Sequence, residues 1–431
     1  MHIRSIIIKN IRSIENLSWN LKPTQSSAGW HVVIGDNGSG KSTFLRCISL
    51  ALIGPIEAAA LRQNWNDWLS KETSRGFIHL ALFRDMKVDK FSGKGRTLEN
   101  ERLPVMISFS KTENEVKIKS GKIEKVDPER FVWGGKAGWF SASYGPFRRF
   151  TGGDKEYDRL FYSNPRLAAH LSIFGEDVAL TEAIRWLQDL QFKKLENNPE
   201  GNLLDSVKEF VNQSEFLPHK VRLESVSSDG VEFVDGDGYK LPVEDLSDGY
   251  RSILSMTFEL IRQLAQIYGA KAIFDSNDKT KIIVPGVVLI DEIDAHLHPT
   301  WQRRIGIWFR THFPKLQFIV STHSPLICQA ATVGSVWRLP KPGSNESGGM
   351  VTGQELDRLL YGNVLDAYGT EAFGVNVTRS EESKQRLQQL AELNQKELYE
   401  QLSDAEQEEQ TKLRAMMPTA ANTTNGSLQN T

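Results

Sequence analysis

Gly-Asp-Asn-Gly-Ser-Gly-Lys-Ser-Thr, at residues 35–43, is the stretch that decides the fold of this chain. It matches the phosphate-loop pattern G-x-x-x-x-G-K-[ST]. An apolar run at 30–34 comes before it, and an amphipathic run at 44–52 comes after it. These flanks predict a strand entering the loop and a helix leaving it, which distinguishes a phosphate-binding loop from a Gly-rich turn before an ordinary helix. We therefore expect the chain to bind a nucleoside triphosphate.

The loop supplies the first candidate binding residues. Its glycines let successive backbone N–H groups curl round the phosphates, and the following helix adds the partial positive charge of its N-terminus. Lys41 would reach the β- and γ-phosphates, and the Ser42 hydroxyl would ligate Mg²⁺. The expected ligands are ATP and Mg²⁺, and the predicted nucleotide-binding residues here are Asn37, Gly38, Ser39, Gly40, Lys41, Ser42 and Thr43.

Length, charge and cysteine content limit the possible classes. A chain of 431 residues can bury a large core, in one domain with sizeable insertions or in two domains. The formal net charge of −2 gives no global basic field, so any contact with nucleic acid must come from local patches. Cys47 and Cys328 lie in apolar runs and form no C-x-x-C pair, which fits a reducing compartment and gives no zinc site. We see no signal peptide and no run approaching 18 apolar residues, so the expected location is the cytoplasm.

Hydrophobic periodicity predicts the elements between the motifs. Residues 1–22 fit two short antiparallel strands. Residues 55–85 are predicted to be helical, with the tryptophans there in the core rather than at a ligand. Residues 86–132 contain strand-like pieces and a modest excess of Lys and Arg, for which a solvated β-hairpin is favoured over a nucleic-acid surface. Residues 164–217 are predicted to be helical, without a heptad register long enough for an extended arm. Short strands are expected at 219–243.

A turn at residues 140–150 carries Arg148, Arg149 and three aromatic residues after a predicted strand. In nucleotide-switch proteins such a turn often holds a γ-phosphate sensor or an arginine that faces a partner. A Gly-Pro pair followed by arginines is equally typical of an exposed loop. Both interpretations stay open at this point.

Two later motifs supply candidate chemistry. Residues 246–249, Leu-Ser-Asp-Gly, stand just before a strong helix predicted at 253–267, where Ser and Asp also suit an ordinary N-cap. Residues 287–290 predict a buried parallel strand that ends in Asp291 and Glu292, at the edge where α/β sheets bind ligands. Asp291 would hold Mg²⁺, directly or through water, and Glu292 is the natural general base for the attacking water.

Histidines follow the last two core strands. The spacing of His296 and His298 could suggest a metal pair, but structural or subunit-contact roles are favoured because no third ligand is nearby in sequence. A further strand at 316–320 ends in Ser-Thr-His-Ser-Pro, and there His323 could contact the γ-phosphate and report its loss. The alternative is a histidine whose hydrogen bonds are satisfied within the turn.

The order of these motifs resembles that of ABC-type ATPases, in the soluble branch that includes RecF-like and SMC-like proteins and anti-phage ATPases. The resemblance covers 1–54 and 240–340 well. It implies an α/β fold, namely a P-loop NTPase with a mixed central sheet, an inserted β/helical lobe and a helical C-terminal region. No glutamine-bearing metal loop is recognisable between 55 and 150. In that superfamily two domains meet head to tail around ATP, which would place Ser247 and Gly249 in the partner's site, with Lys41, Ser42, Asp291, Glu292 and His323 acting in their own.

Within that branch the chain is similar to the ATPase subunits of Septu anti-phage systems. The similarity lies in residues 246–252, 291–299 and 321–325, and in a C-terminal stretch with Asp-Ala-Tyr-Gly at 366–369, Phe-Gly-Val at 373–375 and Arg-Ser at 379–380. The resemblance implies a homo-oligomer built from head-to-tail dimers and a separate HNH nuclease partner. For some members of the group, the resemblance also implies association with a retron's reverse transcriptase and its DNA–RNA product.

The C-terminal region shows no chemistry of its own in the sequence. Residues 354–414 are charged and helical, with a ragged leucine stripe and nothing that resembles a Toprim or HNH nuclease. They would form an oligomer contact or a partner dock, or else fold back on the ATPase core. The expected segments are 1–85 and 241–353 for the two parts of the ATPase domain, 86–240 for the inserted lobe, 354–417 for the helical region and 418–431 for a disordered tail.

Two functional hypotheses follow. The first is an ATP-binding and ATP-hydrolysing regulatory subunit of an anti-phage complex, which controls a separate nuclease. The second is a RecF/SMC-like ATPase that clamps DNA during repair. A transporter's nucleotide domain is disfavoured because the large insertion and the charged C-terminal region do not suit docking to membrane helices.

Overall fold

The computed structural model describes residues 1–91, 101–113, 115–121, 127–134, 137–148, 164–175, 182–213, 216–344, 348–368, 373 and 380–416. The chain divides into two compact units, Met1–Ala367 and Tyr368–Thr431. Arg149 and the expected disordered tail at 418–431 lie outside the described residues.

The strands of the described residues are, in chain order, β1 (His2–Ile11), β2 (Ile14–Asn20), β3 (Gly29–Ile34), β4 (Arg75–Phe83), β5 (Lys90–Phe91), β6 (Arg102–Lys111), β7 (Val116–Ser120), β8 (Ala137–Gly138), β9 (Ser141–Tyr144), β10 (Arg222–Ser227), β11 (Gly230–Val234), β12 (Lys240–Pro242), β13 (Gly286–Ile290), β14 (Leu316–Ser321), β15 (Gly334–Arg338) and β16 (Gly349–Met350).

The α-helices of the same residues are α1 (Lys41–Ile53), α2 (Pro55–Ala58), α3 (Pro165–Ala168), α4 (Glu182–Leu195), α5 (Leu203–Val211), α6 (Asp248–Tyr268), α7 (Ala270–Ile273), α8 (Pro299–His312), α9 (Pro325–Cys328), α10 (Gly353–Tyr361), α11 (Val364–Tyr368), α12 (Glu381–Glu397) and α13 (Asp404–Met416). Short 3₁₀ or π turns lie at Ala59–Leu61, Trp65–Asp67, Glu129–Trp133, Leu171–Ile173, Pro199–Asn202, Pro218–Lys220, Val243–Asp245 and Gln329–Thr332.

The central sheet positions the site. In the described part of the chain its strand order is β16-β15-β3-β14-β13-β9, and β15, β3, β14, β13 and β9 are all parallel. β3, β13 and β14 are buried along their whole length, which explains why they are continuous apolar runs rather than alternating ones. The carboxyl ends of β3, β14, β13 and β9 therefore share one edge of the sheet. The predicted α/β fold with a mixed sheet is confirmed.

A second, antiparallel sheet has the order β2-β1-β4-β6-β7 in the described residues. The predicted strand pair at 1–22 is confirmed by the pairing of β1 with β2, and the predicted hairpin by that of β6 with β7. The prediction of helix over 55–85 is wrong for β4. Its residues 76, 78, 80 and 82 are buried with a period of two, and β4 pairs with both β1 and β6, so sheet pairing overrides the helix propensity of its Leu and Ala residues.

Helix α1 lies in the core shared by the two sheets. Phe44, Leu45 and Ile48 of α1 are fully buried in a cluster that also holds apolar side chains of β1, β4, β6, β13 and β14. Fully burying one such side chain contributes about 1.5–3 kcal/mol. Trp68 joins this cluster and stacks on Phe109, with ring centroids 6.1 Å apart, as the sequence predicted for a core tryptophan. The helix that follows the phosphate loop is thus fixed on both sides.

Helices α4 and α5 and the three-stranded sheet β10-β11-β12 form a lobe inserted between β9 and α6 in the described residues. Strands β6, β7 and β9, which also fall in the predicted insertion at 86–240, belong instead to the two larger sheets. The segment between α5 and β10 is tied to two later helices. Phe216 stacks on Trp308 of α8 with ring centroids 4.1 Å apart, and its carbonyl accepts a hydrogen bond from Trp301 Nε1. The Tyr250 hydroxyl of α6 donates to the Pro218 carbonyl. The start of α6 is therefore packed against the segment between α5 and β10 of the lobe.

The second unit contains α12 and α13, which contact each other. Leu390 and Leu413 are buried there, whereas Leu398 is 77% exposed, so the predicted leucine stripe is only partly covered. Gln410 of α13 donates to Asn394 and Glu397 of α12.

No single helix among the described residues is long and apolar enough to cross a bilayer. One bent pair, Lys41–Ile53 with Pro55–Leu61, passes the same test by length and composition. Its first helix is the core helix α1.

Candidate functional site

The phosphate loop connects β3 to α1. Gly38 (φ 79°) and Gly40 (φ 97°) adopt left-handed backbone conformations, which glycine enters at little cost. Gly40 is also the N-cap of α1, and a Cβ there would stand 3.1 Å from Ser13 Oγ of the β1–β2 turn. The Ser39 hydroxyl is buried and has no hydrogen-bond partner among the described residues. A cradle with an unsatisfied hydroxyl fits a bound phosphate.

Lys41 points back into this loop. Its Nζ donates to the Gly35 carbonyl at 2.7 Å and to the Asp36 carbonyl at 3.1 Å. Burial lowers the pKa of Lys41, and the negative charges of Asp291 and Glu292 oppose that decrease. The phosphate loop follows β3 and the carboxylates follow β13, and both strands are parallel neighbours of β14, so Lys41 and the Asp291–Glu292 pair lie at the same edge of the central sheet.

Asp291 and Glu292 are held by a serine on the neighbouring strand. The Ser321 hydroxyl at the end of β14 donates to Asp291 Oδ1 at 2.5 Å and accepts a 2.8 Å hydrogen bond from the Glu292 backbone N–H. The Ile293 backbone N–H donates to the Ser321 carbonyl at 3.1 Å. Asp291 is 1% exposed, so one of its oxygens is fixed within the protein. Together with the Ser42 hydroxyl it provides oxygen ligands of the kind that Mg²⁺ prefers.

Glu292 has a left-handed backbone conformation, with φ of 48°. Non-glycine residues hold such conformations at a cost of about 1–3 kcal/mol, and they cluster at functional sites. Here the conformation is fixed from both sides, because its N–H is bonded to Ser321 and its carbonyl accepts from Arg148 Nη2 at 3.2 Å. The Glu292 side chain is partly exposed at the sheet edge, where a substrate could reach it.

The position of Arg148 contradicts the interpretation of the turn after β9 as an exposed loop that carries this arginine. Arg148 is 4% exposed, so it does not belong to an exposed loop. Its guanidinium donates to the carbonyls of Gly145 and Asp291 at 2.9 Å each, in addition to that of Glu292. Its Nε donates to Ser252 Oγ at 2.9 Å. Arg148 thus faces the protein interior, beneath the Asp291–Glu292 pair, rather than a partner surface.

The Leu-Ser-Asp-Gly motif forms the start of α6. Ser247 is the N-cap residue, is exposed, and makes no side-chain capping hydrogen bond to the helix. Gly249 is buried, and a Cβ there would stand 2.7 Å from the His296 carbonyl oxygen, so the motif requires glycine at this position. The first turn of α6 therefore lies against the segment that follows Glu292, with its leading serine facing outward.

The predicted histidines differ in their surroundings. His323 is exposed after β14, where a γ-phosphate sensor was expected. Its neighbour Thr322 is buried and donates to Asp294 Oδ1 at 2.5 Å, so this turn is tied to the segment after β13. His298 is the N-cap of α8, with its Nδ1 accepting from the Thr300 backbone N–H at 3.3 Å. No group of three or more His, Cys, Asp or Glu side chains that could hold a metal ion occurs in the described residues.

A cavity of about 560 Å³ opens beside the phosphate loop. Its lining residues include Ser13 to Leu17, at the end of the β1–β2 turn and the start of β2, and Pro340 to Ser344, which follow β15. Gly38 and Ser39 of the phosphate loop also line it. The cavity holds no aromatic side chain among its lining residues, so a base there would meet polar groups such as Glu15, Asn16 and Lys341.

Two residues of this site could not be assigned from the sequence. Ser321 belongs to the Ser-Thr-His-Ser-Pro stretch, and its position at the end of a strand next to the Asp-Glu strand was the signal that could have identified it. The role of Arg148 had no such signal, because three of its four hydrogen-bond partners lie more than 100 residues away, in α6 and just after β13.

Comparisons with known proteins identify a matching family model and several relatives. The family model described as "AAA domain, putative AbiEii toxin, Type IV TA system" matches residues 31–329. The Septu protein PtuA of Bacillus mycoides (strain KBAB4) is 27% identical over 345 residues, which cover 78% of this chain and 40% of that protein. The retron Vc95 probable ATPase of Vibrio cholerae serotype O1 biovar El Tor is 25% identical over 371 residues, 72% of this chain and 69% of that protein.

The chain thus spans less than half of the length of that Septu protein. Among solved structures, the Smc head bound to the C-winged-helix domain of ScpA aligns with a TM-score of 0.48 and 16% identity, over 81% of this chain and 97% of that chain. The resemblance to Septu and retron ATPases that the motifs predicted is confirmed by the relatives. Since the family model covers more than half of the chain and includes both the phosphate loop and the Asp291–Glu292 pair, the chain belongs to the AAA-domain family of P-loop ATPases that this model describes.

Proposed function

We propose that the chain binds ATP with Mg²⁺, hydrolyses it, and acts as the regulatory subunit of an anti-phage complex. The observation that carries the ATPase part is the edge of the central sheet, where the phosphate loop after β3 and the carboxylate pair after β13 both lie next to the end of β14. There Ser321 holds the side chain of Asp291 and the backbone N–H of Glu292. A loop that binds phosphate and a residue that positions the attacking water are recurring parts of enzymes that hydrolyse nucleoside triphosphates.

Each residue has a defined task in this proposal. The backbone N–H groups of residues 37–43 and the Lys41 ammonium bind the phosphates, and the nucleoside lies in the cavity between Ser13–Leu17 and Pro340–Ser344. Ser42 and Asp291 would hold Mg²⁺, which when bound neutralises charge on the β- and γ-phosphates. Glu292 accepts a proton from the attacking water, and His323 senses the γ-phosphate from the neighbouring strand end.

The active unit is a head-to-tail dimer in this proposal. Ser247 is exposed at the N-terminus of α6 and its hydroxyl makes no capping bond, so it is available to a phosphate held by another subunit. Gly249 lets the first turn of α6 pack closely against the segment at His296, so the exposed Ser247 lies next to the segment that follows Glu292. Higher oligomers would be built from such dimers.

The partner is proposed to be a separate HNH nuclease, by analogy with the Septu group. A Septu protein and a retron ATPase align with most of this chain. By the same analogy, we propose that the complex associates with the DNA–RNA product of a retron. The net charge of −2 disfavours tight binding of DNA by this chain alone, since that affinity comes from phosphate neutralisation. A cytoplasmic location follows, because ATP and invading DNA are both encountered there.

Co-purification tests the proposal. The chain is expressed together with an HNH nuclease as the candidate partner, and ATP turnover and complex formation are measured with and without Mg²⁺. We expect turnover that depends on Mg²⁺ and a stable complex that does not cut DNA until it is activated. Absence of ATP binding in an equilibrium titration contradicts the ATPase assignment. A chain that turns over ATP, ignores the nuclease and binds DNA ends tightly is instead a DNA clamp.

A further inference from the structure

Arg148 connects three chain segments that are far apart in sequence. Its four hydrogen bonds, all between 2.9 and 3.2 Å, go to Gly145 after β9, to Asp291 and Glu292 after β13, and to Ser252 in α6. All four acceptors are carbonyl or hydroxyl oxygens. One planar group therefore fixes the beginning of α6 relative to the end of β13.

A buried cation of this kind is costly as a purely structural element. Burial lowers the pKa of Arg148 to about 10, and the charges of Asp291, Asp294 and Glu292 oppose that decrease, so the guanidinium stays protonated at neutral pH. Apolar side chains of similar volume often replace buried charged groups without loss of stability. What an apolar side chain cannot do is hold two successive carbonyls and a hydroxyl in a fixed planar fork.

The contact with Glu292 falls at a residue whose backbone is strained. Glu292 has φ of 48°, and its two peptide groups are bonded to Ser321 and to Arg148. A shift of the guanidinium would change the orientation of the Glu292 carbonyl and so the direction of its side chain. Arg148 is in this sense a positioning residue, which acts through Glu292 rather than on a substrate.

The contact with Ser252 reaches the helix whose N-terminus faces outward. Ser252 is one turn after Asp248, the first residue of α6, and it is 1% exposed. A small displacement of the first turn of α6 therefore reaches the guanidinium through a direct 2.9 Å contact.

We propose that Arg148 couples the two nucleotide sites of the dimer. The inference rests on the proposed head-to-tail arrangement, in which α6 of one subunit caps the nucleotide that its partner holds. This contact reorients Glu292 of the capping subunit, through Ser252 and Arg148 of the same subunit. Coupling between two sites is reciprocal and typically changes affinities by about 5- to 150-fold. A chain would then align its general base only when its α6 is engaged by the nucleotide of its partner.

Hydrogen–deuterium exchange on a mixed dimer tests this coupling without measuring hydrolysis. One full-length chain carries Lys41→Ala and an isotope label, so its own phosphate site stays empty while its α6 can still cap the nucleotide of a wild-type partner. On addition of a non-hydrolysable ATP analogue, we expect the amides of residues 291–293 in the labelled chain to exchange at least about fivefold more slowly. Residues 248–251 of the same chain should be protected as well.

Variants within the labelled chain separate coupling from general stabilisation. Ser252→Ala, which removes only the α6 contact, should abolish the protection of 291–293 and keep that of 248–251. Arg148→Lys keeps the charge but loses the planar fork and should do the same. Thr257→Ala is the matched control, because Thr257 is buried in the same helix and is not an acceptor of Arg148, and it should keep both protections.

Each outcome decides the inference. If residues 291–293 remain protected in both Ser252→Ala and Arg148→Lys, the inference is overturned. It is also overturned if the labelled chain with Lys41→Ala alone shows protection of residues 248–251 but no effect at residues 291–293. If residues 248–251 are not protected at all, the head-to-tail arrangement itself is wrong, and so is the coupling that rests on it. If Arg148→Lys does not fold, the Ser252→Ala result alone decides.

Discussion

The Ser321 hydroxyl donates a 2.5 Å hydrogen bond to Asp291 Oδ1 across the β14–β13 strand pair. The same hydroxyl accepts from the backbone N–H of Glu292, so one small side chain orients both members of the carboxylate pair. The strand ends hold these residues together, because Ile290 and Val320 are direct partners in the parallel register. Ser321 should therefore influence catalysis although it lies beneath the pair.

Ser321→Ala should impair hydrolysis more than ATP binding. The lost hydrogen bond has a charged acceptor, and such bonds contribute about 1.5–3 kcal/mol. We expect turnover to fall by about ten- to a hundredfold, with the dissociation constant for ATP changed by less than about threefold. Ser324→Ala is the control. Because Ser324 caps α9, this substitution should lower the free energy of unfolding by about 1 kcal/mol rather than slow hydrolysis. Equal effects of both variants on turnover would refute a specific role for Ser321.

Glu292→Gln should keep ATP binding and slow hydrolysis by about a hundredfold or more, since a positioned base contributes about that much. Removing the charge that repels the γ-phosphate should also trap a closed dimer in the presence of ATP. Single-turnover kinetics and sedimentation velocity measure the two effects. Glu224→Gln on the exposed side of β10 should behave as wild type. An unchanged rate would mean that another group orients the water.

Lys41→Ala should abolish ATP binding in an equilibrium titration, because it removes the charged side chain aimed at the β- and γ-phosphates. It also removes two hydrogen bonds to the Gly35 and Asp36 carbonyls, so circular dichroism should accompany the titration. Lys117→Ala, an exposed lysine of β7, is the control. Wild-type affinity in Lys41→Ala would contradict the role of the phosphate loop.

Mixing two inactive variants should restore activity. A Lys41→Ala chain keeps the start of its α6, and a Gly249→Asp chain keeps its phosphate loop, so each mixed dimer contains one intact composite site. Because a Cβ at Gly249 would contact the His296 carbonyl, Ser247→Asp provides a second variant at an exposed position that still suits a helix N-cap. Turnover should exceed that of either chain alone. No recovery in dimers shown to be mixed would count against a shared site.

Action on nucleic acid should require a second polypeptide. Removing Tyr368–Thr431, the second compact unit, should leave ATP binding by Met1–Ala367 unchanged and weaken assembly or nuclease capture. Binding is measured by titration, and capture by co-purification with an HNH nuclease as the candidate partner. The purified full chain with ATP and Mg²⁺ should not cut duplex or single-stranded DNA. Metal-dependent cleavage by that preparation, lost on mutation of this chain, would disprove the idea.

Local sequence determined the parts of the fold that rest on short-range chemistry. The phosphate loop, the strand before it and α1 after it follow from glycine spacing and hydrophobic periodicity within about 25 residues. The apolar run that ends in Asp291 and Glu292 identified a buried parallel strand for the same reason. These patterns carry their own signal, because the backbone conformations that they require depend mainly on neighbouring residues.

Tertiary structure alone decided which residues meet. Strand β4 was not recognised, because its helix-forming Leu and Ala residues yield to pairing with β1 and β6, which only the folded sheet provides. Arg148 contacts residues 104 and 143 positions away, and Ser321 contacts Asp291 30 positions away. Such contacts leave no periodic trace in the sequence, because they depend on which strand ends lie side by side.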